Sequence, residues 1–274
     1  MIDHYKNDTS HLGRFSKLLP ILRKWFNFLH RTQYTDIQEI YGWKIRKSYY
    51  NLGSGLDDYP RNDRLFSSYY HLDLQVWMTY FSESLNYVCE ALNGTDCKSS
   101  KQIHPDNLNF FFDKTEKLYK DRGLNDAFSN HLGYVNLFPL FFGYLDVNSE
   151  SFLATLALIE DQKLLGSDYG VRSLSKSDEL FHKNDDYWTG PIWININYLI
   201  LRGLKLYYFE NERAKILYTD LRNKLMSNVC DDWEKTGFFW ENYNEEKGGG
   251  NKARAHPFNG WTSLITLIIS EKYI

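Results

Sequence analysis

Apolar residues recur every three or four positions along most of the chain, which is the spacing of amphipathic helices. The first such stretch runs from about Leu12 to Gln33, and we expect Pro20 to kink it. A second runs from about Tyr70 to Leu92, where Asn93-Gly94 provides a stop signal. The same spacing predicts further helices at about 105–121, 134–145, 149–164, 191–209, 211–229 and 258–272.

Strand signals are few, and the best of them is Phe238-Phe239-Trp240, which predicts one short edge strand. The segment from Tyr34 to Arg64 is rich in glycine and has no sustained period, so it is predicted to be a long loop, and such loops are usually functional. Helices joined alternately by short links and long aromatic loops suit a toroid of helical hairpins whose long loops gather at one end. No linker, repeat or low-complexity segment divides the chain. The sequence therefore predicts one all-α domain.

Composition narrows the class of protein. The 274 residues are 43% hydrophobic, enough for one sizeable core, and the formal net charge of −3 gives no basic footprint for nucleic acid. Aromatic residues make up 17% of the chain, which favours a carbohydrate ligand because aromatic faces stack on sugar rings. No apolar run approaches the roughly 20 residues that span a bilayer. The polar start, Met1 to Ser10, predicts no signal peptide.

The three cysteines, Cys89, Cys97 and Cys230, fit neither a disulfide framework nor a zinc pattern. They leave open one local bridge, between Cys89 and Cys97. His71 and Asp73 are two residues apart at the start of a predicted helix and do not share a face, so we expect no metal pair there. The sequence predicts no metal and no cofactor.

The first segment with candidate chemistry is Ser54–Arg61, in which two adjacent carboxylates, Asp57 and Asp58, follow a glycine. Adjacent aspartates splay apart, so one can point into a site while the other pairs with Arg61 and stays ionised. The alternative is a solvated turn with a surface ion pair, and an isolated segment of this kind favours that alternative.

The second segment is Phe239–Tyr243, where Glu241 is embedded among aromatic residues. Desolvation by aromatic walls raises the pKa of a carboxyl group, which lets it accept or donate a proton near neutral pH. The alternative is a glutamate that faces water on an edge strand. Glycoside hydrolysis uses two carboxylates, one as an acid toward the leaving oxygen and one as a base toward water, and Asp57 and Glu241 are candidates for this pair.

The third segment is Asp185–Tyr198, which packs aromatic residues, a turn and a helix start together. Trp188 and Trp193 would suit a wall on which a sugar stacks, although a tryptophan near a helix start more often belongs to the core. The glycine run Gly248–Gly250 is not followed by Gly-Lys-Ser/Thr, so it is not interpreted as a phosphate loop.

Taken together, these segments resemble glycoside hydrolase family 63, and most closely its processing α-glucosidases of the glucosidase I type. The resemblance spans roughly Leu12 to the C-terminus, and the order and spacing of the motifs make it specific. The matching segments are Ser54–Arg61, His71–Leu74, Gly133–Pro139, Tyr169–Leu174, Tyr187–Tyr198 and Pro257–Leu264.

The resemblance implies an (α/α)6 toroid, of which about the last eight helices are present, so that residues 1–274 form the C-terminal portion of one catalytic domain. It also implies inversion at the anomeric carbon, no cofactor, and removal of the terminal α-1,2-linked glucose from the N-glycan precursor in the lumen of the endoplasmic reticulum. The expected partner is a glucosylated high-mannose glycan on nascent glycoproteins. Asp57 would be the general acid and Glu241 the general base, and the expected glucose-pocket residues are Asp58, Arg61, His71, Asp73, Tyr187, Trp188 and Trp261.

Two positions depart from the family pattern. Thr189 stands where the family usually has arginine, and Tyr69 stands where it usually has glutamate two residues before the histidine. Both changes remove groups that would contact a sugar. Two alternatives therefore stay open: a related family 63 or trehalase-like glycosidase acting on another α-glucoside, and a non-catalytic α/α carbohydrate-binding module.

Overall fold

The computed structural model describes residues 12–44, 52–61, 68–92, 102–183 and 185–271. Its α-helices are α1 (Leu12–Gln33), α2 (Leu72–Ala91), α3 (Phe138–Phe141), α4 (Glu150–Glu160), α5 (Ile194–Tyr207), α6 (Glu212–Thr236) and α7 (Ile265–Ser270). Short 3-10 helices occupy Leu52–Ser54, Pro105–Phe111, Tyr134–Leu137 and Trp261–Leu264. The predicted all-α class is confirmed.

Two helical hairpins dominate the packing, because α1 lies against α2 and α5 lies against α6, while α3 and α7 close onto the second hairpin. Helix α6 carries a stripe of leucines on its inward face, with Leu217, Leu221 and Leu225 buried. Gly237 ends this helix in the left-handed conformation, at a φ of 78°. The helices of the described residues therefore pack largely as two hairpins.

Local sequence explains where several helices begin. The Ser149 hydroxyl accepts a hydrogen bond from the Phe152 amide at 3.1 Å and caps α4. The Asn211 side chain accepts from the Ala214 amide at 3.1 Å and caps α6. Pro20 lies inside α1, and the helix continues past it to Gln33.

The hydrophobic core has two parts. The larger part surrounds α3, α5 and α6 and includes the buried side chains of Phe141, Trp193 and Leu204. A smaller part lies between α1 and α2, around Phe26 and Leu74. The core thus fixes the helices and leaves the connecting loops to build the site.

Two predictions of secondary structure are wrong. The segment predicted as a helix at 105–121 is a 3-10 turn followed by a hairpin of β2 (Phe112–Asp113) and β3 (Leu118–Tyr119). Asp113 accepts a hydrogen bond from the Thr115 amide at 2.9 Å, a local bond that favours a turn over a helix. Phe238–Trp240 form no strand; Phe239 instead accepts a hydrogen bond from the Phe258 amide at 2.8 Å.

The other two short strands, β1 (Ser68–Tyr70) and β4 (Arg122–Gly123), pair antiparallel just before α2. Cys97, one half of the candidate bridge, lies outside the described residues, and Cys230 is a free cysteine. Within the described ranges, no helix has the length and apolar character needed to cross a membrane.

Candidate active site

Three loops form a cleft of about 290 Å³ next to the ends of the helices. The first precedes α2 and carries Asp57, the second precedes α5 and carries Tyr187, and the third joins α6 to α7 and carries Arg254. The described residues that line the cleft are Leu52, Asp57, Asp58, Asp185, Tyr187 and Arg254.

Backbone pairing holds the second and third loops together. The amide of Ile192 donates to the carbonyl of Tyr243 at 2.9 Å, and the amide of Tyr243 donates back to Ile192 at the same distance. These reciprocal bonds connect the loop that leads into α5 with the segment that contains Glu241. The relative position of Tyr187 and Glu241 is therefore set by the backbone as well as by side chains.

Asp58 holds the second loop in place through hydrogen bonds from two of its backbone amides. Its Oδ2 accepts a hydrogen bond from the Tyr187 amide at 3.0 Å, and its Oδ1 accepts from the Trp188 amide at 2.6 Å. Burial raises the pKa of Asp58, and the two backbone hydrogen bonds act against that shift. Asp58 borders the cleft, but its oxygens are already engaged by the protein.

Asp57 has the opposite environment. It is half-buried and lines the cleft, and its pKa is raised by burial and by the neighbouring charge of Asp58. A raised pKa keeps the proton on a carboxyl group to a higher pH, which is what a general acid requires. Asp57 therefore has both the access and the electrostatic surroundings of a proton donor.

Glu241 accepts hydrogen bonds on both of its oxygens. The Tyr187 hydroxyl donates to Oε1 at 2.5 Å, and the amide of Ala255 donates to Oε2 at 3.3 Å. Burial and the hydrogen bond to Glu241 both raise the pKa of Tyr187, so the phenol keeps its proton and remains a donor. Both oxygens of Glu241 thus act as hydrogen-bond acceptors.

Trp188 and Trp193 pack in the core against Tyr187, which lines the cleft. Trp188 and Trp193 stack with their ring centroids 3.8 Å apart and an interplanar angle of 9°, and both rings are buried. The Trp193 indole donates to the Tyr187 carbonyl at 2.8 Å. The structure therefore favours a place in the core for these two tryptophans over the alternative of a wall on which a sugar stacks. Trp261 is half-buried and donates to the backbone carbonyl of Glu241 at 2.9 Å.

Arg61, Asp73 and Asp121 form a buried ionic cluster. Arg61 pairs with Asp73 at 2.8 Å and with Asp121 at 3.0 Å, and it is 1% exposed. The prediction that Arg61 pairs with one of the adjacent aspartates is wrong, because two other carboxylates meet its guanidinium. None of the three is among the described residues that line the cleft.

His71 is also buried beside this cluster. Its Nδ1 accepts a hydrogen bond from the Trp43 amide at 2.7 Å, and the Trp43 indole donates to Asp73 at 3.1 Å. Arg61, His71 and Asp73, which were expected to line a glucose pocket, are thus brought together with Trp43 at the start of α2. That placement lets them orient the first loop.

The two departures from the family pattern also have defined positions. Thr189 is fully buried, and its hydroxyl donates to the Lys183 carbonyl at 2.9 Å. Tyr69 is half-buried with its ring against Tyr70, at a centroid distance of 5.1 Å.

Sequence reasoning missed Arg254, Asp185 and Asp121. The Arg254 guanidinium lies over the Tyr187 ring, 4.8 Å from its centroid, and donates to the Asp185 carbonyl. Asp185 could have been found from its place just before Tyr187, whereas Arg254 and Asp121 lie in segments without a local signal. In the part of the chain that the structure describes, no three His, Cys, Asp or Glu side chains are grouped to hold a metal ion.

Two carboxylates carried on neighbouring loops of a helical fold are the arrangement that glycoside hydrolysis requires, and this defines the class of protein. The sequence pattern of the glycosyl hydrolase family 63 C-terminal domain matches residues 2–129 and 124–271, and the chain belongs to this family. The resemblance drawn from the motifs is confirmed.

Two curated relatives are similar over most of the chain. A probable mannosyl-oligosaccharide glucosidase of Schizosaccharomyces pombe is 36% identical over 93% of this chain and 34% of its own length. The mannosyl-oligosaccharide glucosidase of Saccharomyces cerevisiae is 31% identical over 93% of this chain and 35% of its own. The chain therefore spans about a third of the length of these relatives.

A solved structure of the family shares the fold. The GH63 mannosylglycerate hydrolase from Thermus thermophilus in complex with Tris superposes with a TM-score of 0.68 and 16% sequence identity. The superposition covers 97% of this chain and 73% of the other. At this identity the likeness shows the fold alone, and it confirms the α/α toroid.

Proposed function

We propose that the chain is the carboxylate-bearing part of an inverting exo-α-glucosidase, with Asp57 as general acid and Glu241 as general base. The observation that carries the proposal is the position of Tyr187. Its amide binds Asp58, next to Asp57, and its hydroxyl binds Glu241. One residue thus connects the two carboxylate-bearing segments at a single cleft.

In the proposed reaction, Asp57 donates its proton to the glycosidic oxygen as the bond to the anomeric carbon breaks. Glu241 takes a proton from the water that attacks the opposite face of the sugar, so the configuration inverts. Before turnover Asp57 must be protonated and Glu241 ionised. The raised pKa of Asp57 and the two hydrogen-bond donors on Glu241 support this assignment.

Binding of the glucose would rest on groups around the cleft. Tyr187 and Arg254 line it directly, and Trp188 supports Tyr187 from the core. In this proposal Asp58, Arg61, His71, Asp73 and Trp261 hold the loops and the Glu241 backbone in place, and glucose contacts Asp57, Tyr187 and Arg254.

The proposed substrate is the terminal α-1,2-linked glucose of a glucosylated high-mannose N-glycan in the lumen of the endoplasmic reticulum. Support comes from the relatives, which carry the name mannosyl-oligosaccharide glucosidase and cover nearly the whole chain. The domain assignment of residues 1–274 as the C-terminal portion of one catalytic domain belongs to the same proposal.

Isosteric variants test the two roles. Asp57→Asn and Glu241→Gln should each lower kcat on a glucosylated high-mannose oligosaccharide by about 10²–10⁴-fold, the range of a lost general acid or base. Matched controls are Asp220→Asn, on the exposed face of α6, and Glu246→Gln, an exposed partner of Lys176. Thermal unfolding should show all four variants folded. Near-normal kcat in Asp57→Asn or in Glu241→Gln would remove that residue from its role.

A further inference from the structure

His182 lies between two carboxylates in the loop that leads to Tyr187. Its Nδ1 is 2.7 Å from Oδ1 of Asp186, and its Nε2 is 2.7 Å from Oε1 of Glu245. Ionised carboxylates only accept hydrogen bonds, so a ring bonded to both must donate from both nitrogens. The ring is therefore an imidazolium, and these hydrogen bonds raise the pKa of His182 to about 10.

Glu245 belongs to the segment that carries Glu241. It follows Tyr243, which is paired with Ile192 through the backbone, and its side chain is only 1% exposed. A buried carboxylate requires a partner of opposite charge or hydrogen bonds. Arg172 contributes charge nearby, but its guanidinium donates to the backbone carbonyls of Gln162 and Gly166. His182 is thus the side chain that meets the Glu245 carboxylate directly.

The loop around His182 is shaped to hold this ring. The His182 amide donates to the Thr189 carbonyl at 2.8 Å, which closes the loop just after Tyr187 and Trp188. His182 and Asp186 both have a positive φ, of 54° and 50°, which residues other than glycine rarely adopt. A Cβ on Gly190 would lie 3.0 Å from the imidazole Cε1, so a side chain there would push against the ring.

We propose that His182 is a positioning residue that bridges Asp186 and Glu245, and so fixes the loop bearing Tyr187 against the segment bearing Glu241. The inference rests on the proposed function only where it treats Glu241 as the general base. Through this bridge, His182 sets the hydrogen bond between the Tyr187 hydroxyl and the Glu241 carboxylate.

The charges around His182 define what its titration would change. Asp186 faces it from its own loop, and Glu245 faces it from the segment after Glu241. Glu246 contributes a more distant negative charge, and Arg172 a positive charge that acts on Glu245. The Phe181 ring packs against His182 at a centroid distance of 4.2 Å. Loss of the proton would leave two carboxylates facing a neutral ring that can donate to only one of them.

Hydrogen exchange on the intact chain tests the positioning directly. His182→Gln and Glu245→Gln should each speed amide exchange by about tenfold or more at 185–189 and 241–245, while α2 and α5 keep their protection. The matched control is Glu246→Gln, since it removes the same charge from the adjacent residue without touching His182. Unchanged exchange in both loops, or equal loosening throughout the chain, would overturn the proposal.

The protonation state has its own readout. In protein labelled with ¹⁵N-histidine, both ring nitrogens of His182 should give the imidazolium signal at pH 8, and Glu245→Gln should lower its pKa by about one unit or more. A ring that titrates near its ordinary pKa of about 6.5 would overturn the bridge.

An activity measurement separates this inference from the proposed function. If the chain releases glucose, His182→Gln should lower kcat by about tenfold with a smaller change in KM, because the base is misplaced while the cleft remains. Normal kcat in that variant would overturn the positioning role. If the chain releases no glucose, the proposed function fails, and the exchange and ¹⁵N measurements still decide whether the bridge exists.

Discussion

Asp57 and Asp58 are neighbours in the chain with different surroundings: both line the cleft, but the Asp58 carboxyl also accepts hydrogen bonds from two backbone amides. The side chain of Asp58 receives two hydrogen bonds from Tyr187 and Trp188, and it thereby positions the loop that carries the Glu241 contact. The sequence predicted that the adjacent aspartates would splay apart and that one would pair with Arg61, but Asp58 binds backbone amides instead. The sequence could not predict the partners of Asp58, which lie about 130 residues further along the chain.

We predict that Asp58→Asn destabilises the protein by about 1–3 kcal/mol, because an asparagine keeps only one acceptor and leaves a buried amide of Tyr187 or Trp188 without a partner. Urea unfolding at neutral pH measures the change. The control is Asp126→Asn, whose side chain is 75% exposed in a surface ion pair with Arg122 and should change stability by less than about 0.5 kcal/mol. Equal stability of the two variants would contradict the anchoring role of Asp58.

The pKa of His182 predicts a pH dependence of stability. The folded-state pKa of about 10 lies above the ordinary value of 6.5, so the stabilisation is complete below about pH 6.5 and is lost as the pH rises through 10. The difference in unfolding free energy between the natural chain and His182→Gln should therefore shrink over that window. Urea unfolding at several pH values measures it, and a difference that does not vary with pH would contradict the prediction.

At the scale of elements, helices meet closely where small residues permit it. Gly203 lies in α5 against α3, and a Cβ there would be 2.6 Å from the Leu140 carbonyl oxygen and 2.9 Å from the Phe141 Cα. The neighbouring atoms belong to the backbone, so they cannot move aside as a flexible side chain would. Packing therefore opposes the usual preference of a helix for alanine over glycine.

Gly203→Ala should destabilise the protein by about 1–3 kcal/mol, because the overpacking cost exceeds the roughly 1 kcal/mol gained in helix propensity. Gly13→Ala in α1 is the control, since a Cβ there would meet nothing within 4 Å. That variant should be neutral or slightly more stable. Thermal unfolding compares the two, and a stabilised Gly203→Ala would show that α3 and α5 are not in close contact.

At the scale of the whole molecule, the periodicity of apolar residues predicted most helices correctly, but it wrongly predicted a helix at 105–121. Helix α2 was predicted from a long apolar stripe and a stop signal, whereas α6, predicted to end at about 229, continues to Thr236 and ends at Gly237. In the failed segment, the run Asp113–Lys117 contains charged residues common in helices, yet Asp113 starts a turn and Lys117 has a φ of 60°. Local hydrogen bonding decided the outcome there.

The candidate site shows the same limit. The order of the motifs predicted Asp57, Glu241 and Tyr187 as site residues. In the structure, hydrogen bonds of Tyr187 connect the two carboxylate-bearing segments beside one cleft. Arg254 and Asp121 could not be predicted, because their roles arise from contacts with residues more than 50 positions away in the chain. Arg61 was recognised as important, but its partners were misassigned for the same reason: sequence proximity to Asp58 says nothing about burial beside Asp73.

We propose that Asp57, which lines the cleft, and Glu241, which binds the cleft residue Tyr187, together hydrolyse an α-glucoside with inversion. The most direct test is ¹H NMR of the first glucose released by the 274-residue chain from a glucosylated high-mannose oligosaccharide, recorded before mutarotation. We predict that the β-anomer appears first, since water attacks the face opposite the leaving group. Initial release of α-glucose, or no release by the folded chain, would contradict it.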